Sequence, residues 1–161
     1  MATTATDIRT LTIREIALHD AVTIAELSGQ LGYETSASEM MQRLHRILPL
    51  RSNHVALVAC LAGDVVGWIE AEVVHHLQSA PYALITGLVV KNGVRSLGVG
   101  KRLCNEVEQW SRRQGLSLLR VTSRSTREGA HRFYLREGFA QTKTSLVFEK
   151  VLSEAIQNKD S

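Results

Sequence analysis

The chain has 161 residues, of which 44% are hydrophobic, and its formal net charge is +3. A chain of this length can bury one sizeable core, so we expect a single domain over residues 1–161. No stretch reaches the ~20 consecutive apolar residues of a membrane-spanning helix, and Met1 to Asp7 has neither the basic start nor the apolar run of a secretion signal. These features predict a cytoplasmic protein that does not bind membranes.

The charges are unevenly distributed along the chain. Residues 1–90 contain five arginines against nine acids, whereas residues 91–161 contain fourteen lysines or arginines against seven acids. Coulomb forces concentrate ligands of opposite charge at each surface, so the acidic half suits cationic groups and the basic half suits phosphates. Chance asymmetry is the alternative. Cys60 and Cys104 lie in apolar runs without a short-spaced Cys or His partner, which predicts buried thiols and no metal site.

The first ninety residues predict one strand, two helices and three further strands. Alternation from Leu11 to Ile16 predicts a strand, and Asp20 is placed to cap a helix that Gly32 ends. Ser36 and Glu39 have capping-box spacing before a second helix. Its apolar face is formed by Met40, Met41, Leu44, Ile47 and Leu48. Strands are then predicted over His54–Ala62, Val65–Val74 and Tyr82–Val90, with a turn at Gly63-Asp64 and a loop over His75–Pro81.

The second strand of the predicted hairpin has an unusual polar face. Alternation places Trp68, Glu70 and Glu72 on one side of the strand and apolar residues on the other. Two carboxylates beside an aromatic ring are not typical of a core. They either keep the surface solvated or contact a cationic ligand.

The remaining elements predict a βαβ unit and two more segments. A helix marked by Val99, Leu103, Val107 and Trp110 follows the third strand, Gly115 is placed to end it, and a strand over Ser117–Ser123 comes next. The crossover favours parallel pairing, with ligands at the carboxyl end of the strand. A last helix over Arg127–Glu137, closed by Gly138, and a final strand over Leu146–Lys150 complete one mixed α/β domain.

The loop from Arg95 to Lys101 has the chemistry of a phosphate site. It puts Gly98 and Gly100 at a helix start, where unpaired N–H groups and the helix dipole favour an anion. The Walker loop needs glycine at the position of Arg95 and Ser or Thr at that of Arg102, and the dinucleotide fingerprint needs glycine at Leu103. Both of those phosphate motifs are therefore excluded.

The motif Arg95-x-x-Gly98-x-Gly100, after an apolar strand and before an amphipathic helix, resembles that of the GNAT superfamily of N-acetyltransferases. The segment from Ala130 to Phe139, with its His131, Tyr134 and Gly138, resembles the second cofactor region of that family. The likeness is strongest from Gly87 to Lys150. It implies a GNAT-like acyl-CoA N-acyltransferase fold, an α/β (α+β) mixed sheet that is strongly bent and mostly antiparallel, with a central splayed parallel pair flanked by helices.

The resemblance also implies the reaction and its residues. An amine attacks the thioester of acetyl-CoA directly in a ternary complex, an amide of the cofactor strand stabilises the oxyanion, and Tyr134 protonates the departing thiolate. The residues expected to bind the cofactor are Leu88, Val89, Val90, Arg95, Ser96, Leu97, Gly98, Val99, Gly100, Lys101, Ser123, Arg124, Arg127, His131 and Tyr134.

The attacking amine must lose a proton, so the site needs a base, which could act through water. Glu70 and Glu72 are the candidates, since they lie near the expected acceptor groove, whereas His75 and His76 fall in a predicted loop and rank lower. Two positions depart from the family. Arg124 occupies the position where many relatives have asparagine, and Leu84 stands where relatives of this subtype often have an acid.

The predicted activity is transfer of an acetyl group to a small cationic amine such as an aminoglycoside or a polyamine-like metabolite. A protein lysine or N-terminal acetyltransferase is the alternative within the family. A non-catalytic acyl-CoA-binding module is the alternative of another class, although Tyr134 argues against it. Aromatic content of only 5% and the absence of a binding motif disfavour nucleic acid as a partner. Exposed strand edges are compatible with a homodimer.

Overall fold

The computed structural model of the protein describes residues 10–153, with Ser96 described by its backbone alone, so Met1–Asp7 lies outside the described residues. The strands are β1 (Leu11–Glu15), β2 (His54–Leu61), β3 (Asp64–His76), β4 (Ser79–Val90) and β5 (Leu119–Val121). The α-helices are α1 (Ala21–Gly29), α2 (Ala37–Ile47), α3 (Val99–Arg113) and α4 (Glu128–Arg136). Short 3₁₀ turns cover Leu18–Asp20, Leu48–Leu50 and Arg95–Leu97.

The chain forms two compact units, one that ends at Arg124 and one that begins at Ser125. The first unit contains one mixed sheet in the order β1-β2-β3-β4-β5. All neighbours are antiparallel except β4 and β5, which pair in parallel as the βαβ pattern predicted. The predicted mixed α/β class is therefore confirmed, while a single domain over residues 1–161 stays a prediction.

Helices cover both faces of this sheet. On one face, α1 and α2 bury an apolar cluster with Val58 and Cys60 of β2, and Trp68 packs against its rim. The capping box of Ser36 and Glu39 begins α2 as predicted. On the other face, α3 packs its predicted apolar side against the sheet, and the residues buried there are Val99, Leu103, Val107 and Trp110. Both cysteines are buried as expected.

The β2–β3–β4 meander differs from the prediction at its turns. The first turn is formed by Ala62 and Gly63, whose φ angles are 51° and 88°, one residue earlier than predicted. The loop predicted over His75–Pro81 is wrong, because β3 and β4 extend into it. His76 pairs with Ser79, so the two strands stay paired almost to the tip of the hairpin. His76 Nε2 also lies 3.1 Å from the Tyr82 hydroxyl.

The second unit contains α4, which lies within one residue of its predicted bounds and is followed by Gly138 with φ 89°. The final strand predicted over Leu146–Lys150 is wrong: residues 140–152 form no regular element. Strand propensity reflects packing against neighbours, and the described residues of this unit include no strand with which the segment could pair. Five large apolar side chains of this segment are exposed, those of Leu146, Val147, Phe148, Val151 and Leu152.

Asp20 precedes α1 as predicted but does not cap it with its side chain. Its carboxylate instead accepts two bonds of 2.8 Å from the Arg14 guanidinium and one of 2.8 Å from the Ala17 N–H. Burial raises the pKa of this carboxyl, but the hydrogen bonds from Arg14 and Ala17 and the Arg14 charge outweigh burial and bring the pKa below its ordinary value. The pair therefore joins β1 to the start of α1.

Asp20→Asn is expected to lower the free energy of unfolding by about 1–3 kcal/mol, because it leaves the Arg14 guanidinium without its charged partner. The lower pKa of Asp20 in the folded state means that its stabilising effect is present above the ordinary carboxyl pKa and disappears as the pH falls through the folded-state value. Urea unfolding at neutral and acidic pH measures both effects. Glu26→Gln, at an exposed position on α1, is the matched control and should change stability by less than about 0.5 kcal/mol. An equal loss in both variants would contradict this role of the ion pair.

Candidate functional site

The sheet opens along one edge of β4. β5 pairs only with Ala83, Leu84 and Ile85, and no described strand pairs with that edge of β4 from Thr86 onward. On its other edge β4 stays paired with β3 as far as Val90, which pairs with Gly67. The segment Thr86–Val90 is therefore held in extended form by one neighbour only, and its other edge can bind an extended ligand.

The residues predicted to hold the pantetheine arm lie in this open segment. Val89 is buried, and Leu88 and Val90 are half-buried. The Arg95 side chain returns to the end of the strand, where its Nε donates to the Val90 carbonyl at 3.3 Å. This bond holds the arginine beside the start of the next loop.

The Gly-rich loop ends in the helix start that the sequence predicted. Gly98 has φ 77° and precedes α3, and Arg95 to Leu97 form one 3₁₀ turn before it. The first bond into the helix runs from the Arg102 N–H to the Gly98 carbonyl at 3.1 Å, so the N–H groups of Val99, Gly100 and Lys101 have no acceptor within α3. With the exposed side chains of Arg95 and Lys101, these groups can bind a phosphate.

The end of β5 adds two of the predicted cofactor residues. Ser123 Oγ is buried and has no hydrogen-bond partner among residues 10–153. Buried polar atoms normally have a partner, so a bound ligand could supply one here. Arg124 is bonded through Nη2 to the Tyr33 hydroxyl, and its guanidinium lies 5.3 Å from the centre of the Tyr33 ring. The residue at the unusual asparagine position thus contacts the loop between α1 and α2.

Glu70 is the most constrained carboxylate on the polar face of β3. His54 Nε2 lies 3.2 Å from its Oε2, and the Thr86 hydroxyl donates to Oε1 at 2.7 Å. Burial raises the pKa of Glu70, but hydrogen bonds from His54 and Thr86 and the charge of the imidazole outweigh burial, so the pKa is below its ordinary value. Glu70 is therefore ionised at neutral pH.

Glu72 differs from Glu70 although both lie on the same face. Its side chain is exposed and forms no ion pair or hydrogen bond with the part of the chain that the structure describes. Trp68 lies two residues before Glu70 and covers Gly87, where a Cβ atom would come within 2.5 Å of the indole ring. Glycine at this position lets the ring lie against β4 beside Glu70.

The second cofactor region lies in the second unit. Tyr134 is half-buried on α4, with its ring 5.4 Å from that of Phe133 and 5.5 Å from that of Phe139. His131 lies about one turn earlier, and its backbone N–H donates to the Arg127 carbonyl at 3.1 Å. The two predicted cofactor regions therefore fall in different units. The first lies at the start of α3 and the second on α4, and both helices were predicted from the sequence.

The first unit brings together Glu70, the open segment of β4 and the Gly-rich loop, as the sequence suggested. Three neighbouring residues were not among the predicted site residues: His54 and Thr86, which bond to Glu70, and Tyr33, which contacts Arg124. A single histidine at a strand start carries no motif, and the bulge that turns Thr86 toward Glu70 is not visible in an apolar run. Among the described residues, no group of three or more His, Cys, Asp or Glu could hold a metal ion, and no helix is long and apolar enough to cross a membrane.

Residues 21–139 match the acetyltransferase (GNAT) family, and the chain belongs to that family. The fold class and the family predicted from the sequence are thereby confirmed, as is the class of enzyme, an N-acetyltransferase that uses acetyl-CoA as its co-substrate.

The chain is similar to several proteins that are named as N-acetyltransferases. It is 37% identical over 81 residues to an aminoalkylphosphonate N-acetyltransferase of Salmonella typhimurium, a match that spans 50% of this chain and 53% of that relative. It is 28% identical over 145 residues to an aminoglycoside N(6')-acetyltransferase of Stenotrophomonas maltophilia, covering 88% of this chain and 94% of the relative. In fold it resembles an aminoglycoside N-acetyltransferase solved with a bisubstrate analogue, CoA-S-monomethyl-acetylneamine, with a TM-score of 0.76, 19% identity and coverage of 88% and 98%.

Gly98→Ala is expected to destabilise the protein by about 1–2 kcal/mol, because an L-residue with a Cβ atom is strained at a φ of 77°. A Cβ atom at this position would meet no atom within 4 Å, so the strain comes from the backbone angle and not from a clash. Gly98→Asn should lose less, since asparagine tolerates the left-handed region better than alanine. Thermal unfolding of the three proteins measures the difference. Equal melting temperatures for the wild type and Gly98→Ala would show that the helix start adopts another conformation.

Proposed function

We propose that this protein acetylates a primary amine on a small cationic molecule of the aminoglycoside or polyamine class. The observation that carries the proposal is the position of Glu70: its ionised carboxylate is bonded to Thr86, the first residue of the open segment of β4. A fixed negative charge beside the open edge can bind the ammonium form of an amine, next to the strand along which the acyl arm would run. Relatives named for aminoglycoside acetylation support the same substrate class.

The cofactor side of the proposal rests on the start of α3 and on the cationic and polar groups near it. The N–H groups of Val99, Gly100 and Lys101, with the side chains of Arg95 and Lys101, would hold the pyrophosphate. Backbone groups of Leu88 to Val90 would bind the pantetheine arm, and the buried Ser123 hydroxyl would donate to a carbonyl of that arm or accept from one of its amide N–H groups. The remaining residues assigned to cofactor binding are Ser96, Leu97, Gly98, Arg124, Arg127 and His131. Bound acetyl-CoA supplies the activated acetyl thioester.

The proposal assigns the removal of a proton from the amine and the protonation of the thiolate to different groups. A carboxylate whose pKa lies below its ordinary value is a weak base, so Glu70 binds and orients the ammonium group, while water or Glu72 takes its proton. Tyr134 donates its phenolic proton to the departing thiolate, a step within reach of a group whose ordinary pKa is about 10.

Tyr134→Phe is expected to lower kcat by about 10² to 10⁴, the usual cost of losing a general acid, while acetyl-CoA still binds. Calorimetry with acetyl-CoA and release of thiol on addition of an amine measure the two properties separately. Tyr82→Phe removes a hydroxyl that contacts His76 at the hairpin tip and is the matched control, with kcat expected to change less than about threefold. Unchanged turnover in Tyr134→Phe would overturn the assignment of the acid.

Glu70→Gln is expected to raise KM for the amine by about 10- to 100-fold, because it removes a hydrogen bond to a charged group, which contributes about 1.5–3 kcal/mol. Glu72→Gln changes the same charge on the same face of β3, but at an exposed position where ion pairs contribute about 0–1 kcal/mol, so its KM should stay within about fivefold. KM for acetyl-CoA should not change in either variant. A larger effect at Glu72 would assign the acceptor contact to that residue.

The acceptor class is tested by comparing thiol release with an aminoglycoside, a polyamine, an aminoalkylphosphonate, a lysine peptide and a peptide with an unblocked N-terminus. We expect the polycations to have the lowest KM. The aminoalkylphosphonate is included because the relative from Salmonella typhimurium is named for it; preferred turnover of that zwitterion, or of a peptide, would redirect the substrate class. Binding of acetyl-CoA without turnover of any amine would favour a non-catalytic module. A cytoplasmic location and a homodimer stay predictions from the sequence.

A further inference from the structure

Three adjacent strands each contribute one side chain to a polar array around Glu70. His54 begins β2, Glu70 lies in the middle of β3, and Thr86 lies in β4. His54 Nε2 is 3.2 Å from Glu70 Oε2, and the Thr86 hydroxyl is 2.7 Å from Oε1. One carboxylate oxygen therefore accepts a hydrogen bond from β4, and the other lies within ion-pair distance of an imidazole on β2.

The register of the sheet produces this arrangement. Glu70 pairs with Gly87 and the next residue, Ala71, pairs with Ile85, so Thr86 is the extra residue of a β-bulge. A bulge turns the side chain of its extra residue away from the regular alternation, and here it aims the Thr86 hydroxyl at Glu70. On the other side, Glu70 pairs with Ala56, which places His54 two residues further along as a diagonal neighbour on the same face.

The array leaves part of the carboxylate available to a ligand. An ionised carboxylate has about four lone-pair positions, and His54 and Thr86 occupy two of them. The His54 side chain is 10% exposed, whereas that of Glu70 is 26% exposed. The imidazole is thus enclosed by protein, and the remaining acceptor positions of Glu70 can be reached from outside.

We propose that His54 and Thr86 are positioning residues that hold the Glu70 carboxylate in the orientation that binds the ammonium group of the acceptor. The inference rests on the proposed role of Glu70 as the acceptor contact and deepens it. Without the two donors, Glu70 would sample other rotamers, and the bound amine would be held less often in line with the acyl group. Neither residue touches the acceptor or the acyl group in this assignment.

The test is a comparison of His54→Phe, His54→Gln and Thr86→Val. His54→Phe keeps a planar ring without a donor, and we expect KM for the amine to rise about tenfold while KM for acetyl-CoA stays unchanged. His54→Gln restores an N–H near the position of Nε2 and should bring KM for the amine back to within about threefold of the wild type. Thr86→Val has almost the same shape as threonine without its hydroxyl and should raise KM for the amine by about three- to tenfold. Thermal unfolding and calorimetry with acetyl-CoA verify that each variant is folded.

A double-mutant cycle separates positioning from a purely structural role. In a Glu70→Gln background, His54→Phe and Thr86→Val should change KM for the amine by less than about twofold, because the carboxylate they orient is gone. An undiminished effect in that background, or no effect in the wild-type background, would overturn the proposal. If His54→Phe does not fold, the cycle is completed with Thr86→Val, and the expected recovery in His54→Gln is still measured.

The same data distinguish failure of this inference from failure of the proposed function. If Glu70→Gln leaves KM for every amine unchanged, Glu70 is not the acceptor contact, and both assignments are wrong. If Glu70→Gln raises KM but His54→Phe and Thr86→Val do not, Glu70 binds the acceptor without help from the two donors, and only the positioning role is wrong.

Discussion

The bulge at Thr86 is the feature on which the geometry of the candidate site depends. β4 is paired on both edges from Ala83 to Ile85, and beyond Ile85 it keeps β3 while no described strand pairs with its other edge. The extra residue changes the alternation of β4 at this point, so that Thr86 and Gly87 both lie opposite Glu70. The bulge thus coincides with the opening of the sheet. Its extra residue donates a hydrogen bond to the Glu70 carboxylate and begins the open segment of β4.

The two charged parts of the first unit lie at opposite ends of this segment. Glu70 is bonded at Thr86, and the loop that begins after Val90 carries Arg95, Lys101 and the unpaired N–H groups at the start of α3. Four residue steps of extended chain separate Thr86 from Val90, a length of about 13 Å at ~3.3 Å per residue. An elongated ligand with a phosphate at one end could therefore bring its other end close to a fixed negative charge. Glu70 belongs to the acidic half of the sequence, and the loop with Arg95 and Lys101 belongs to the basic half.

The helices keep this arrangement rigid from both faces. α3 packs its buried side against β3 at Gly67, where an added Cβ would lie 3.3 Å from a Val99 methyl group, so the helix start is fixed directly to the sheet. On the other face α1 and α2 cover Val58, and Trp68 packs against the same apolar cluster. The ion pair of Arg14 and Asp20 joins β1 to the start of α1. The loop between α1 and α2 reaches Arg124 through Tyr33, which connects the expected acceptor side to the end of β5.

Much of the fold was readable from local patterns. The faces of α2 and α3, the capping box at Ser36, the helix-ending glycines at positions 115 and 138, and the parallel crossover all follow from spacing or from backbone sterics, which act over a few residues. The Gly-rich motif and the segment around Tyr134 were enough to identify the family. The same local rules failed at Leu146–Lys150, because a strand forms only where another strand offers it a partner, and propensity says nothing about that partner.

The sequence by itself determined the family, the class of reaction and the glycine-rich helix start, because each depends on residues that are close together in the chain. Only the tertiary structure decided which of the two carboxylates is held in place. Glu70 and Glu72 are equivalent in an alternating pattern, and they become different because residues 16 positions to either side of Glu70, His54 and Thr86, approach it through strand register and a bulge. Register is set by the packing of whole strands, so the hydrogen bonds that distinguish these two acids do not exist until the sheet is assembled.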